Sequence, residues 1–297
     1  MENSQPTSHM VNRANWASCS LLGVSICLLA IACMSIIQRS DGLAGLWLPT
    51  ALLIPVLFHH RYRDWVPLLC AAAVGIAASH TISGTPFLHY LPYLLNNLIE
   101  ASLCATLLRH VLPAQDPLSG LNSWMKFLFV AVIFCPLISA LIMLLFILHI
   151  HSPAELQSRF ATWFMSEAVA ILALTPLGLI YQRGYLVKLL TSKRLLGLLL
   201  TLALTLAAGF LALKWLPYTF AFITIPLLWS AIRLPRIEAF IIFLAMTLMI
   251  ALLHTSGIIS VQPHLVVPIP QGLIFLPLLL ILMPANAIAM AMTALRT

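Results

Sequence analysis

Charge is what this chain has least of. Of its 297 residues only 8% are Asp, Glu, Lys or Arg, and the acids number eight. Soluble domains carry about a quarter of their residues charged, so a water-exposed enzyme domain is excluded. The sequence also has no G-x-x-x-x-G-K, G-x-S-x-G or H-E-x-x-H stretch and no Rossmann glycine pattern, and its twelve glycines form no phosphate cradle. No catalytic residue and no metal site is therefore assigned, and the cofactor is left unspecified. There is no C-x-x-C pair. The six cysteines (Cys19, Cys27, Cys33, Cys70, Cys104 and Cys135) fall in apolar stretches and read as small packing residues. A net charge of +7 does not indicate a nucleic-acid binder, because the basic residues are spread thinly over short loops and form no stripe.

What the chain has in abundance is long apolar runs. Sixty-two per cent of it is hydrophobic, in about ten blocks near residues 17–37, 43–58, 65–79, 90–108, 124–148, 160–181, 195–213, 218–232, 237–253 and 272–295. A helix needs roughly 20 apolar residues to cross about 30 Å of hydrocarbon. Backbone amides in lipid must pair within the segment, and the blocks lack the alternation of barrel strands. The fold expected is an all-α integral membrane bundle of about ten (eight to ten) transmembrane helices. The second and eighth blocks are short and contain proline (Pro49 and Pro55; Pro226), which suits segments shielded by protein or a water-filled cavity. The first block reads as an uncleaved helix behind a polar tail, since no small-residue cleavage site follows it.

Lys and Arg set the orientation. With the N-terminus inside, twelve of the fifteen basic residues fall on inside segments and only Arg39, Arg159 and Lys214 fall outside. Both termini are then cytoplasmic. A weak internal repeat runs through the same map. IPVLFHHRYRDWVPLL (54–69) resembles IPLLWSAIRLPRIEAF (225–240), and Asn97 and Asn286 sit at similar places in the fourth and tenth blocks. A duplicated four-helix unit flanking blocks five and six would explain both.

Two acids, Glu100 and Glu167, fall well inside predicted spans. A charged group at mid-membrane costs about 2.5–3.5 kcal/mol on insertion scales. Asn96 lies four residues before Glu100 and Asn97 three, so one helix carries a polar stripe. Trp163 lies four before Glu167, beside Ser166. Two readings fit: a buried pocket that binds a ligand or changes protonation, and polar glue between helices. If the two carboxyls met, they would have to share a proton. Six histidines (His80, His89, His149, His151, His254 and His264) fall at the outer face, either as solvated interfacial residues or as a metal, haem or pH site. Arg61, Arg63, Arg233 and Arg236 edge the inside loops, as topology anchors or as contacts for a cytoplasmic partner or anionic lipid.

These motifs together resemble a family. GLWLPTALLIPVLFHHRYRDWVPLL is similar to the opening of the membrane-associated sensor domain, first type (the MASE family), through Trp47, Pro49, Arg61, Arg63, Trp65 and Pro67. NNLIEASLCATLLR resembles its Asn-x-x-Glu-Ala helix through Asn97, Glu100 and Ala101, and WFMSEAVAILALTPLGLIY its Trp-acid-Leu-Pro helix through Trp163, Glu167, Leu172 and Pro176. WSAIRLPRIEAF matches its Ala-x-Arg turn at Ala231, Arg233 and Arg236. Ala51 and Ala170 stand where the family often has glycine.

The resemblance implies a tail over residues 1–16 and one membrane-embedded sensory domain over 17–297, in a bacterial inner membrane. It also implies regulation of a diguanylate cyclase, as at the N-terminus of enterobacterial multidomain cyclases. No GGDEF-like or PAS-length segment lies within the sequence, so the chain is not expected to be an enzyme itself. The sensing core expected is Asn96, Asn97, Glu100, Trp163, Glu167, Trp47 and Pro49. The lipid bilayer is the expected partner, and a cytoplasmic output domain and a homodimer are compatible with it. The rival class is a small-molecule or ion transporter, since broken helices and intramembrane acids occur there too.

Overall fold

The computed structural model describes residues 15–36, 45–148, 152–181, 185, 189, 194–216, 219–256, 258 and 276–294. Among the described residues every regular element is helical. Among the described residues the main helices are α1 (Trp16–Ile36), α2 (Leu48–His59), α3 (Trp65–Ile82, led in by a 3-10 turn at Tyr62–Asp64), α4 (Phe87–Val111), α5 (Gly120–Ile147), α6 (Pro153–Ile180), α7 (Arg194–Trp215), α8 (Thr219–Arg233), α9 (Arg236–Thr255) and α10 (Leu276–Ala294). Eight of them are long and apolar enough to span a bilayer, and α2 and α8, of 12 and 15 residues, are not. The protein is a multi-pass membrane protein, with a helix for each apolar block of the sequence.

Several helix edges differ from expectation for local reasons. Helix α6 starts at Pro153 rather than near residue 160, because Ser152 and Glu155 form a capping box and Pro153 takes the first-turn place that needs no N–H partner. Arg159 therefore lies within a helix instead of a loop. Pro49 likewise occupies the first turn of α2 and interrupts nothing, so Pro55 is the interior proline of that helix. Helix α5 enters through Gly120, whose φ of 82° suits glycine, and is π-helical from Leu128 to Phe134. Of the cysteines, Cys33, Cys104 and Cys135 are buried, but Cys70 is exposed on α3 and does not pack as expected.

Helix α6 is the centre of the bundle. Its apolar window is 78% buried, against 22% for α1, and it packs on α2, α5, α9 and α10. Two contacts recur between the halves, although α7 packs more extensively on α8 than on α9 whereas α1 lies mainly on α3. In the first four helices α1 lies on α3 and α2 on α4; in the last four α7 lies on α9 and α8 on α10. Each set has a short proline-containing helix in second place, followed by an arginine-bearing turn.

Small residues set the closest approach. Gly23 on α1 faces Ala71 and Gly75 on α3, so close that a Cβ at position 75 would fall on the Gly23 carbonyl and lie 3.3 Å from the Cys27 nitrogen. Lipid offers no hydrophobic drive between helices, so such backbone contact supplies the packing.

The short helix α2 also poses a backbone problem. Pro55 has no N–H, which leaves the carbonyl of Ala51, four residues earlier, without its helical partner. Thr175 on α6 supplies one: its hydroxyl donates to Ala51 O at 2.8 Å. Thr175→Val is expected to leave that buried carbonyl bare and to lower stability by about 1–2 kcal/mol, read as an earlier midpoint in SDS-induced unfolding.

Candidate functional site

Helices α2, α4, α5 and α6 enclose a polar cluster at mid-depth. Glu100 is the fourteenth of 25 residues in α4, and Glu167 the fifteenth of 28 in α6. Both are almost wholly buried, as are Asn96, Asn97, Thr50 and Ser139. Asn96 and Asn97 precede Glu100 by four and three residues, so helical spacing turns all three inward from α4.

The contacts are specific. Thr50 Oγ1 donates to Asn97 Oδ1 at 3.1 Å and faces Glu167 Oε1 at 3.5 Å. Asn96 Nδ2 donates to the Ser139 carbonyl at 3.0 Å, and Trp163 Nε1 to the Ser139 hydroxyl at 2.9 Å. Ser139 also faces the Glu100 carboxyl, yet neither Glu100 oxygen reaches a hydrogen-bond partner among the described residues. The two carboxyls lie within electrostatic reach of each other. Beside them the thiols of Cys104 and Cys135 face one another, both buried. Asn96 Oδ1, Glu167 Oε2, Ser166 Oγ, Thr162 Oγ1 and Trp47 Nε1 are also buried without a partner among the described residues.

A ladder of contacts along α2 and α6 runs from this cluster to the arginine-bearing end of the bundle. Trp47 N donates to Ser166 O at 3.5 Å at the start of α2. The Thr50–Glu167 and Thr175–Ala51 contacts follow. Pro55 then rests on Gly178, where an added Cβ would meet the proline ring, 2.7 Å from its Cβ. His59 Nε2 lies 3.2 Å from Gly178 O at the end.

The last carbonyls of α2 are capped from two sides. Trp65 Nε1 donates to Leu57 O and His60 O, at 3.0 and 3.2 Å. Arg109 Nη1 donates to His60 O at 2.9 Å, and its guanidinium stacks 4.4 Å from the Tyr62 ring centre. A cation there complements the negative end of the helix dipole.

The structure thus brings together Asn96, Asn97, Glu100, Trp163 and Glu167. Trp47 and Pro49 begin the helix that carries Thr50 to them. Trp47 also faces His80, with ring centres 6.4 Å apart, and His80 stacks on Tyr90 at 4.9 Å. His80 is accordingly half-buried in an aromatic group rather than solvated as the interfacial reading held. His149, His151 and His264 lie outside the described residues. No group of three or more His, Cys, Asp or Glu among the described residues is arranged as a set of metal ligands by itself.

The four arginines differ in setting. Arg61, Arg63 and Arg233 are exposed, whereas Arg236 pairs with Asp116 at 2.9 Å and ties α9 to the α4–α5 connection. Sequence reasoning missed Thr50, Ser139, Thr175 and Arg109. It also missed Glu238, which is buried in the first turn of α9 and accepts a hydrogen bond from Tyr185 at 3.2 Å. Burial, with the Glu238 carboxylate beside it, pushes the Tyr185 phenol up to about 12.

Comparison with known proteins places this arrangement. The chain is 34% identical over 280 residues to "Probable diguanylate cyclase DgcE" of Escherichia coli (strain K12). The match covers 93% of this chain and 24% of that protein, so the chain spans about a quarter of the length of its relative. No solved structure gives a significant match. The family profile for MASE1 matches residues 18–267, taking in both the carboxyl cluster and the arginine-bearing turns. On that match, which covers most of its length, the chain belongs to the MASE1 family.

Proposed function

We propose that this chain is the membrane-embedded input domain of a cyclic di-GMP signalling protein, controlling a diguanylate cyclase output on the cytoplasmic side. Family membership and the relative's printed name support the output class. One structural observation carries the reading: Glu167, which shares a buried cluster with Glu100, is joined through Thr50 and the α2–α6 ladder to the arginine-bearing end of the bundle. Carboxyls that served only as glue would be expected to have their oxygens paired, and neither Glu100 oxygen lies within hydrogen-bonding distance of a partner among the described residues, the Ser139 side chain it faces included.

The arginine-bearing end and both termini face the cytoplasm in this reading, as the distribution of basic residues favours. A change at the cluster that favours one packing of α2 on α6 would shift Trp65 and Arg109, and with them the exposed Arg61–Arg63 turn, a surface for the output module. A signal moves such an equilibrium only through its differential affinity for the two packings.

The test fuses the chain to the cytoplasmic part of its relative and measures cyclic di-GMP in cells. Coupling between sites of this kind amounts to about 1–3 kcal/mol, or 5–150-fold. The double variant Glu100→Gln/Glu167→Gln is expected to change output at least fivefold at equal protein level, and Glu238→Gln to leave it unchanged. Output that ignores the double variant would overturn the reading.

A further inference from the structure

Several acceptor oxygens of the polar cluster have no donor placed to serve them. Thr50 has one hydroxyl hydrogen and faces two acceptors, Asn97 Oδ1 and Glu167 Oε1. Asn96 Oδ1, both oxygens of Glu100 and Glu167 Oε2 have no donor among the described residues. Turning the Asn97 amide over would free the Thr50 hydrogen for Glu167 Oε1 but leave Asn96 Oδ1, both Glu100 oxygens and Glu167 Oε2 as they are. The oxygens come from four helices: Thr50 on α2, Asn96 and Glu100 on α4, Ser139 on α5 and Glu167 on α6. No Lys or Arg among the described residues pairs with either acid, and the titratable groups facing the cluster are Cys33 from α1, Cys104 from α4 and Cys135 from α5. None of these supplies positive charge.

A buried, low-dielectric site of this composition favours neutrality. Hard cations take carboxylate, amide and hydroxyl oxygens, and sodium sites of membrane proteins lie at the midplane beside broken helices. Magnesium, which keeps several waters, fits less well, because the residues of this cluster have near-zero exposure to solvent. One monovalent ion together with one carboxyl proton balances the two acids.

We propose that Glu100, Glu167, Asn96, Thr50 and Ser139 form a binding site for a small monovalent metal cation, sodium. The proposal rests on the reading that this cluster is the sensing core and gives that core an occupant. Binding sodium would draw α2, α4, α5 and α6 together, and protons would compete for the same carboxylates.

The experiment uses the purified full chain in lipid nanodiscs. Thermal unfolding is followed by tryptophan fluorescence in sodium, potassium or choline chloride at equal ionic strength, with equilibrium binding of radioactive sodium measured alongside. Sodium at a hundred times its dissociation constant is expected to raise the midpoint by about 5 °C over choline. Lowering the pH is expected to shrink that difference. Glu100→Gln and Glu167→Gln are expected to abolish both the sodium-minus-choline difference and the bound radioactivity, while Glu238→Gln keeps them.

The difference between salts is read within each variant, so a change in overall stability does not mimic the result, and the binding measurement on the unaltered chain stands without any variant. Equal midpoints in all three salts, a response to pH alone, stabilisation by magnesium or calcium in place of sodium, or retention of sodium by both glutamine variants would each overturn the proposal. Sodium binding without any effect of the double variant on cyclase output would instead preserve the site and remove its signalling role. Output that follows the double variant without sodium binding would do the reverse.

Discussion

Gly178→Leu is expected to unseat α2 from α6 and to lower stability by about 3 kcal/mol or more. The reason is the rigidity of what the new side chain meets. A Cβ at position 178 runs into the ring of Pro55, which cannot rotate away because it is fused to the backbone of α2. The helix must move as a unit, carrying the His59 contact, the Thr175–Ala51 bond and the Thr50 hydroxyl with it. SDS-induced unfolding in mixed micelles, followed by tryptophan emission, checks the stability. The cyclase fusion checks the consequence, since a displaced Thr50 should disconnect the cluster from the output. Gly197→Leu is the control: nothing lies within 4 Å of a Cβ there, and the midpoint should move by no more than about 0.5 kcal/mol. A Gly178→Leu protein that unfolds like the parent would show that α2 does not rest on α6 at this point.

Gly75→Leu is expected to be of similar size and to strike a different joint. Here the obstacle is backbone, the carbonyl of Gly23 and the amide of Cys27, so no rotamer change can relieve it. Helix α1 is the least enclosed of the long helices and its main neighbour is α3. Separation should therefore release α1 while the α2–α4–α5–α6 cluster stays assembled. The same unfolding assay should split into two transitions, and a nick between α1 and α2 should let the α1 fragment separate from the remainder on a sizing column. Gly209→Ala makes a useful contrast, because the atoms it would touch are the flexible ends of Met246 and Met249, which can turn aside.

The parts of the site that could be read in the sequence were those with a high cost in lipid. Glu100 and Glu167 stand out because a carboxyl in an apolar block demands an explanation. Asn96 and Asn97 follow from helical spacing to Glu100, and the tryptophan and proline positions from the family resemblance. Thr50, Ser139 and Thr175 were not legible, because a hydroxyl in an apolar helix can bond to its own backbone and gives no sign of a distant partner. Thr175 serves a carbonyl 124 residues away. Glu238 was hidden by its place at a block edge, where an acid ordinarily meets water. Arg109 reads in the sequence only as one of the basic residues on the inside segments, and the close approach of α2 and α4 shows what its guanidinium holds.

The helices themselves were legible almost block by block, since lipid leaves the backbone one solution. Their edges were set by local chemistry that hydropathy does not register, as with the Ser152–Glu155 box that lengthens α6.

The π-helical run Leu128–Phe134 lies one turn before Ser139, the residue that receives both Asn96 and Trp163. Such wide turns hold a surplus residue that ordinary winding would have to absorb. Rewinding that run would swivel everything beyond it by about 100° for each residue taken up. Ser139 would then swing out of line with Asn96 and Trp163, while α5 kept its length and apolar surface. The cluster's α5 side is therefore indexed by a twist register stored several residues away, and substitutions in Leu128–Phe134, whose apolar side chains make no hydrogen bond to the polar groups, are positioned to reset it.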